Sequence, residues 1–304
     1  MTSIGTTHTR RRARLVASLL AATTVSLVVL GFASSALATK PTGDFVNFGD
    51  CPLSNASVTA CLFAQTSSGE FTISSTKVPI TKTITLQGGL IPNESGGLNL
   101  AAAVDGNRLS KTPQTVPGGL LKIVAPESWP EFLRNLFNEF INKGITGVTA
   151  TTELVGEVTL NVNNEVSASG TALTLPVRVH LENSFLGNNC FVGSKAHPVV
   201  VELTSGTTSP PLPNEPITGK VGEVEFKDEG SLIVVKKNSL VNNSFAAPGA
   251  EGCGSQILFG LFTGIIDSAV DSQLGLPSAA GHNTAILNGQ QEIGAAAAVL
   301  ASEK

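Results

Sequence analysis

Four cysteines, three downstream histidines and a few paired polar residues are what this chain offers for chemistry. Cys51, Cys61, Cys190 and Cys253 are even in number, and four cysteines allow three pairings. Cys51–Cys61 and Cys190–Cys253 are favoured, because each pair shares a segment type and the first closes a short surface loop. A metal site would need close Cys or His companions, which the Cys51-x9-Cys61 spacing lacks. A structural disulfide framework is therefore expected. Closing a loop of about 60 residues contributes roughly 4 kcal/mol by the chain-entropy argument.

His180 and Glu182 stand two residues apart, on one face of a strand, where an acid–base or metal site could begin. A polar pair on the wet face of an antiparallel sheet is the commoner use of that spacing. His197 precedes Pro198 in a loop pattern, and His282 lies in a Gly-His-Asn turn. No His-Glu-x-x-His motif or Gly-x-Ser-x-Gly elbow occurs. Ser194 and Ser255 follow glycine near a cysteine, which suits a tight turn beside a disulfide. Asp267 and Asp271 are one helical turn apart, spaced for a carboxylate pair but equally for a polar stripe on an amphipathic helix. No residue is assigned a catalytic, metal-binding or cofactor-binding role, and no cofactor is expected.

The elements that would position these residues are mostly strands. Phe71, Ile73, Val78, Ile80, Ile84 and Leu86 alternate with polar residues, with Pro79 at an edge or bend. The alternation returns over 149–160, 172–181, 199–203, 221–226 and 232–235, and a short strand pattern sits at Phe45–Phe48. In the 221–226 segment, Glu223, Glu225 and Lys227 oppose Val224 and Phe226, which predicts one wet face. Two amphipathic helices are expected. One is opened by the Ser128/Glu131 capping box and ended at Gly144, and the other spans about 256–274. The expected fold is mainly β with two amphipathic helices (α+β), an antiparallel β-sandwich or partial barrel with helices packed on one side. Residues 39–275 form a single β-rich domain in this reading, and 276–304 a C-terminal tail, partly helical or disordered.

The first 38 residues read as an export address. Arg10, Arg11, Arg12 and Arg14 precede the apolar run Leu15–Phe32, and Ala36-Leu37-Ala38 is a cleavage pattern. About 18 apolar residues can just span a bilayer, but the small-residue site straight after the run favours removal, leaving no integral membrane span. Loss of those four arginines takes the formal charge from −4 to −8. An acidic exported protein has no electrostatic footprint for nucleic acid. Tyrosine is absent and Trp129 is the single tryptophan, which disfavours the aromatic platforms of sugar binders.

Four segments carry a resemblance. Asn188-Asn189-Cys190-Phe191-Val192-Gly193-Ser194, Leu203-Thr204-Ser205-Gly206-Thr207-Thr208-Ser209-Pro210-Pro211, Gly252-Cys253-Gly254-Ser255 and Leu276-Pro277-Ser278-Ala279-Ala280-Gly281 make the second half similar to a group of secreted actinobacterial proteins of unknown function. The resemblance implies no activity, cofactor or catalytic residue, and it supports the Cys190–Cys253 pairing. The expected function is a secreted or cell-envelope-associated, non-enzymatic structural or binding protein, with a cell-envelope component as its partner class. The alternatives are a secreted hydrolase with a dispersed site and a carrier of an apolar ligand. N-terminal sequencing of the exported protein should read Thr39-Lys40-Pro41; an intact Met1 would refute the cleavage expectation.

Overall fold

Alternation of apolar and polar residues commits most of the chain to strands, and their apolar faces must be buried against one another. The computed structural model describes residues 40–117, 127–135, 147–255, 260 and 263–304. Within them run β1 (Ala60–Ile73), β2 (Thr76–Pro79), β3 (Ile84–Pro92), β4 (Leu98–Ala101), β5 (Gln114–Val116), β6 (Val148–Leu154) and β7 (Thr159–Leu160). They are followed by β8 (Leu173–Glu182), β9 (Phe191–Val192), β10 (Val199–Leu203), β11 (Glu223–Lys227), β12 (Leu232–Asn242), β13 (Ala250–Glu251) and β14 (Asn283–Ala295). Helices α1 (Val162–Val166), α2 (Thr263–Leu274) and α3 (Ala296–Ala301) accompany them, and 131–135 is also helical. The protein is mainly β, as its periodicity predicts.

The strands join in the order β11-β12-β14-β1-β3-β4-β7-β8-β6-β5, and β10 also pairs with β8. Every pairing is antiparallel. Beyond β10, Thr204 and Val241 exchange both backbone bonds (2.9 and 2.8 Å), which ties the β10 branch to β12. One side of the sheet buries Leu62, Leu86, Leu100, Leu160, Leu173, Leu175, Val201 and Leu240 in a large core. A smaller core gathers Phe45, Phe48, Leu232, Val234 and Val299 around Cys51 and Cys61.

β14 corrects the sequence reading most. Residues 276–304 are not a tail: Asn283–Ala295 is the strand between β1 and β12, with α3 after it. The β-rich unit therefore runs past residue 275 to the C-terminal helix. Phe45–Phe48 belongs to a 3₁₀ helix, Gly43–Phe48, whose three-residue turn puts Phe45 and Phe48 on one buried side. β11 is wet on both faces, since Val224 and Phe226 are 40% and 68% exposed. The first expected helix is described only at 131–135, and its continuation to Gly144 lies outside the described residues. The second is seen as α2, while 256–259 and 261–262 lie outside them.

Asn283 anchors the start of β14 and is fully buried. Its Oδ1 accepts from the Ser74 N–H (3.0 Å) and the Ser278 hydroxyl (2.7 Å). Its Nδ2 donates to the carbonyls of Phe245 (2.8 Å) and Ala279 (3.1 Å). One amide thus fixes the β1–β2 turn, the segment after β12 and the approach to β14. Asn283→Ala strands several buried partners and should destabilise by about 3 kcal/mol, read as a lower urea midpoint; a shift within ±0.5 kcal/mol of wild type would refute this role.

Candidate functional site

Among the described residues, the cysteines, serines and exposed histidines singled out in the sequence do not come together in one site. Both favoured cysteine pairs are disulfides, Cys51–Cys61 and Cys190–Cys253. His197 and His282 are exposed, and Ser194 Oγ accepts only from the backbone N–H of His197 (3.2 Å), a turn bond. Ser255 Oγ accepts from the Asn189 side chain. Asp267 accepts from the N–H groups of Cys253 (2.7 Å) and Gly252 (3.3 Å), and Asp271 from that of Ala250 (2.6 Å). Neither forms a carboxylate pair for chemistry. Together they clamp α2 to the backbone beside the second disulfide, and burial raises the pKa of Asp267.

His180 and Glu182 do lie on one strand face, with His180 Nδ1 3.5 Å from Glu182 Oε1. The imidazole stacks on Phe191 (4.5 Å between centroids), and the Arg178 guanidinium sits 3.9 Å from the same ring. Arg178 in turn gives two hydrogen bonds to Glu153 Oε2 (2.9 and 2.7 Å). His180 Nε2 is buried without a hydrogen-bond partner. Thr151, the cross-strand partner of His180, donates its hydroxyl to Glu182 (3.4 Å), and stacking plus ion pairing account for the other contacts of the cluster.

The largest chemical contrast lies on the other face of the same strands. Two cavities of about 70 Å³ each occupy the large core. The first is bounded by Leu62, Ala64, Leu86, Leu173, Leu175, Leu240 and Leu287. The second is bounded by Ile73, Val78, Val148, Ala150, Val177, Val199, Val201 and Phe245. Phe71, Ile84 and Thr152 line both, so the two are neighbouring lobes of the core. The second lobe is lined almost wholly by apolar side chains, and amides reach the first.

Polar groups cluster at one boundary of the first lobe. Glu165, on α1, is 1% exposed. Gln291 Nε2 donates to its Oε2 (2.8 Å) and Asn238 Nδ2 to its Oε1 (3.4 Å). Both amides also line the first lobe. Burial raises the Glu165 pKa above the ordinary carboxylate value, and the two amide bonds oppose that rise. α1 is nucleated by Asn161, whose side chain accepts from the Asn164 N–H. Ser205 Oγ holds the Glu165 carbonyl from the opposite side.

On the outer surface a shallow groove of about 730 Å³ runs past Gln65, Ser67, Thr83, Lys220, Lys236, Lys237, Asn288 and Gln290. It adjoins the first lobe, since Gln65, Asn238, Gly289 and Gln290 line both. The sheet is irregular here. β1 and β12 each carry a register shift against β14, at Thr66/Ser68 and Lys236/Asn238, and both flank Gly289. A Cβ at Gly289 would overlap the Gln65 carbonyl oxygen, so glycine is required where the three strands crowd. β1 also leaves β3 after Thr66↔Ile84 and meets β2 only from Glu70↔Pro79. Gln114 steadies that gap, accepting from the Thr81 and Lys82 N–H groups and donating to the Lys82 carbonyl.

No family model, curated protein or solved structure matches this chain. The sequence reading missed Glu165, Asn238, Gln291 and the three lysines. One signal was present: Lys236-Lys237-Asn238-Ser239 separates the apolar residues Leu232–Val235 from Leu240-Val241, which is how a bulge reads in a strand.

The raised Glu165 pKa has a definite sign. The fold prefers the protonated acid, so its contribution is complete below the ordinary glutamate pKa and is lost as pH rises through the folded value. Glu165→Gln should therefore stabilise the protein by about 1 kcal/mol at pH 8. The gain should shrink as pH falls through the carboxylate range, measured by urea denaturation at both ends; a pH-independent difference would contradict the assignment.

Proposed function

We propose that this is an exported, non-enzymatic binding protein that holds a slender apolar ligand inside its sheet. The observation that carries the reading is the pair of neighbouring, mostly apolar cavities that share Phe71, Ile84 and Thr152 as lining. In this reading the sheet rolls into a partial barrel. The Thr204–Val241 bonds link the β8–β10 branch back to β12, and the bulges around Gly289 supply the bend a rolled sheet needs. Polar side chains such as Arg178, Glu182 and Glu292 alternate with the apolar lining, opposite to a lipid-facing barrel.

Two disulfides, and no helix among the described residues long and apolar enough to cross a membrane, are compatible with an extracellular protein. The lobes together hold about 140 Å³. That is near the roughly 150 Å³ that accepts benzene, and short of the several hundred that a drug-sized ligand fills. The occupant is accordingly a single alkyl chain with about six carbons inside. At about 0.8 kcal/mol per buried CH₂, six carbons supply roughly 5 kcal/mol, a Kd on the order of 0.1–1 mM.

Isothermal titration with 1-octanol tests this. Saturable one-to-one binding is expected, and Ala64→Phe or Ala150→Phe, each filling one lobe, should weaken it about tenfold while keeping the far-UV circular dichroism spectrum. Absence of saturable binding to the wild type would overturn the proposal.

A further inference from the structure

The groove outside the first lobe gives the ligand a head as well as a tail. We propose that the protein binds single-chain amphiphiles with an anionic head, the chain in the apolar interior and the head among Lys220, Lys236 and Lys237. This rests on the interior-binding reading above and specifies its ligand.

Three observations support it. First, charge: in a chain of formal charge −4 the groove is lined by three lysines and by no aspartate or glutamate. Lys236 and Lys237 do hold Glu225 and Glu223 (2.7 Å each), but those side chains are 47–76% exposed. Such solvent-screened pairs are worth little, so an incoming anion displaces them at small cost. Lys220, also exposed, forms no ion pair among the described residues. Second, continuity: Gln65, Asn238, Gly289 and Gln290 line both groove and lobe, so head and tail subsites adjoin. Third, a way through: strand pairing lapses between Ser67–Gly69 and Ile80–Thr83, crossed there by the Ile80 N–H to Gly69 carbonyl bond. Ser67, Ser68 and Thr83 at that lapse line the groove, while Thr66 and Ile84 beside it line the lobe. A chain entering there leaves its head at the lysines.

The head chemistry is an oxyanion, which a fatty acid carboxylate or a phosphate monoester could each supply. The test is isothermal titration of the purified protein with 1-octanol, octanoate and octyl phosphate, at low and high salt. The two anions should bind about tenfold more tightly than the alcohol at low salt, and the advantage should fade with added salt. The Lys220→Gln/Lys236→Gln/Lys237→Gln variant should bring both anions to the affinity of the alcohol and leave octanol binding unchanged. A tighter fit for octanoate would assign a carboxylate head, for octyl phosphate a phosphate head, and parity a groove that reads charge alone.

Anions binding no better than octanol, or better but indifferently to the three substitutions, would overturn this inference and leave the interior site standing. Failure of all three probes to bind would overturn both. The substitutions are on exposed side chains, so the variant's melting curve should match the wild type, separating a lost head site from a lost fold.

Discussion

Everything in this architecture depends on β14 finding its place between β1 and β12. It pairs with β1 from Ala60↔Ala295 to Ile73↔Asn283 and with β12 from Leu232↔Gly294 to Asn242↔Ala285. Segments more than 200 residues apart thus meet in one ladder, and the backbone groups of β1 and β12 that face β14 have their partners only once it is in place. Such pairing is the most non-local kind, with loop-closure entropy opposing it until the last long strand arrives. The Cys190–Cys253 disulfide and the Asp267 and Asp271 clamps act on the intervening stretch and reduce the disorder that this step must overcome.

The same strand creates the irregularity on which function is proposed to rest. β14 is tightly flanked, and at Gly289 the neighbouring backbones come too close for any side chain. The bulges on β1 and β12 resolve that crowding. They turn Lys236 and Lys237 toward the groove, while Asn238 stays buried beside Glu165. A regular ladder would bury its apolar face with fewer gaps. The observed one leaves free space inside and cations outside, a few residues apart.

Strands with clean alternation were legible in the sequence. Val199–Leu203 matches residue for residue, and Leu173–Glu182 nearly so, because large branched side chains alternate with polar ones there. β14 was not legible. Its core-side positions include Ala285, Gly289 and Gln291, small or polar residues that look like a loop until β1 and β12 are known to press on them. The disulfides could be chosen by segment and spacing. The interior could not, since a void is a property of packing among strands far apart in sequence. Glu165 was hidden for a related reason: nothing local marks a carboxylate whose partners, Asn238 and Gln291, arrive 73 and 126 residues later.

The central claim is that the apolar interior is a binding site rather than imperfect packing. Methyl-resolved NMR during an octanol titration tests this most directly. The account predicts saturating shifts and intermolecular NOEs at the methyls of Leu62, Leu173, Leu240 and Leu287, which line the first lobe. Shifts confined to exposed methyls such as Val46, Val104 and Leu212, with the interior unmoved, would contradict it.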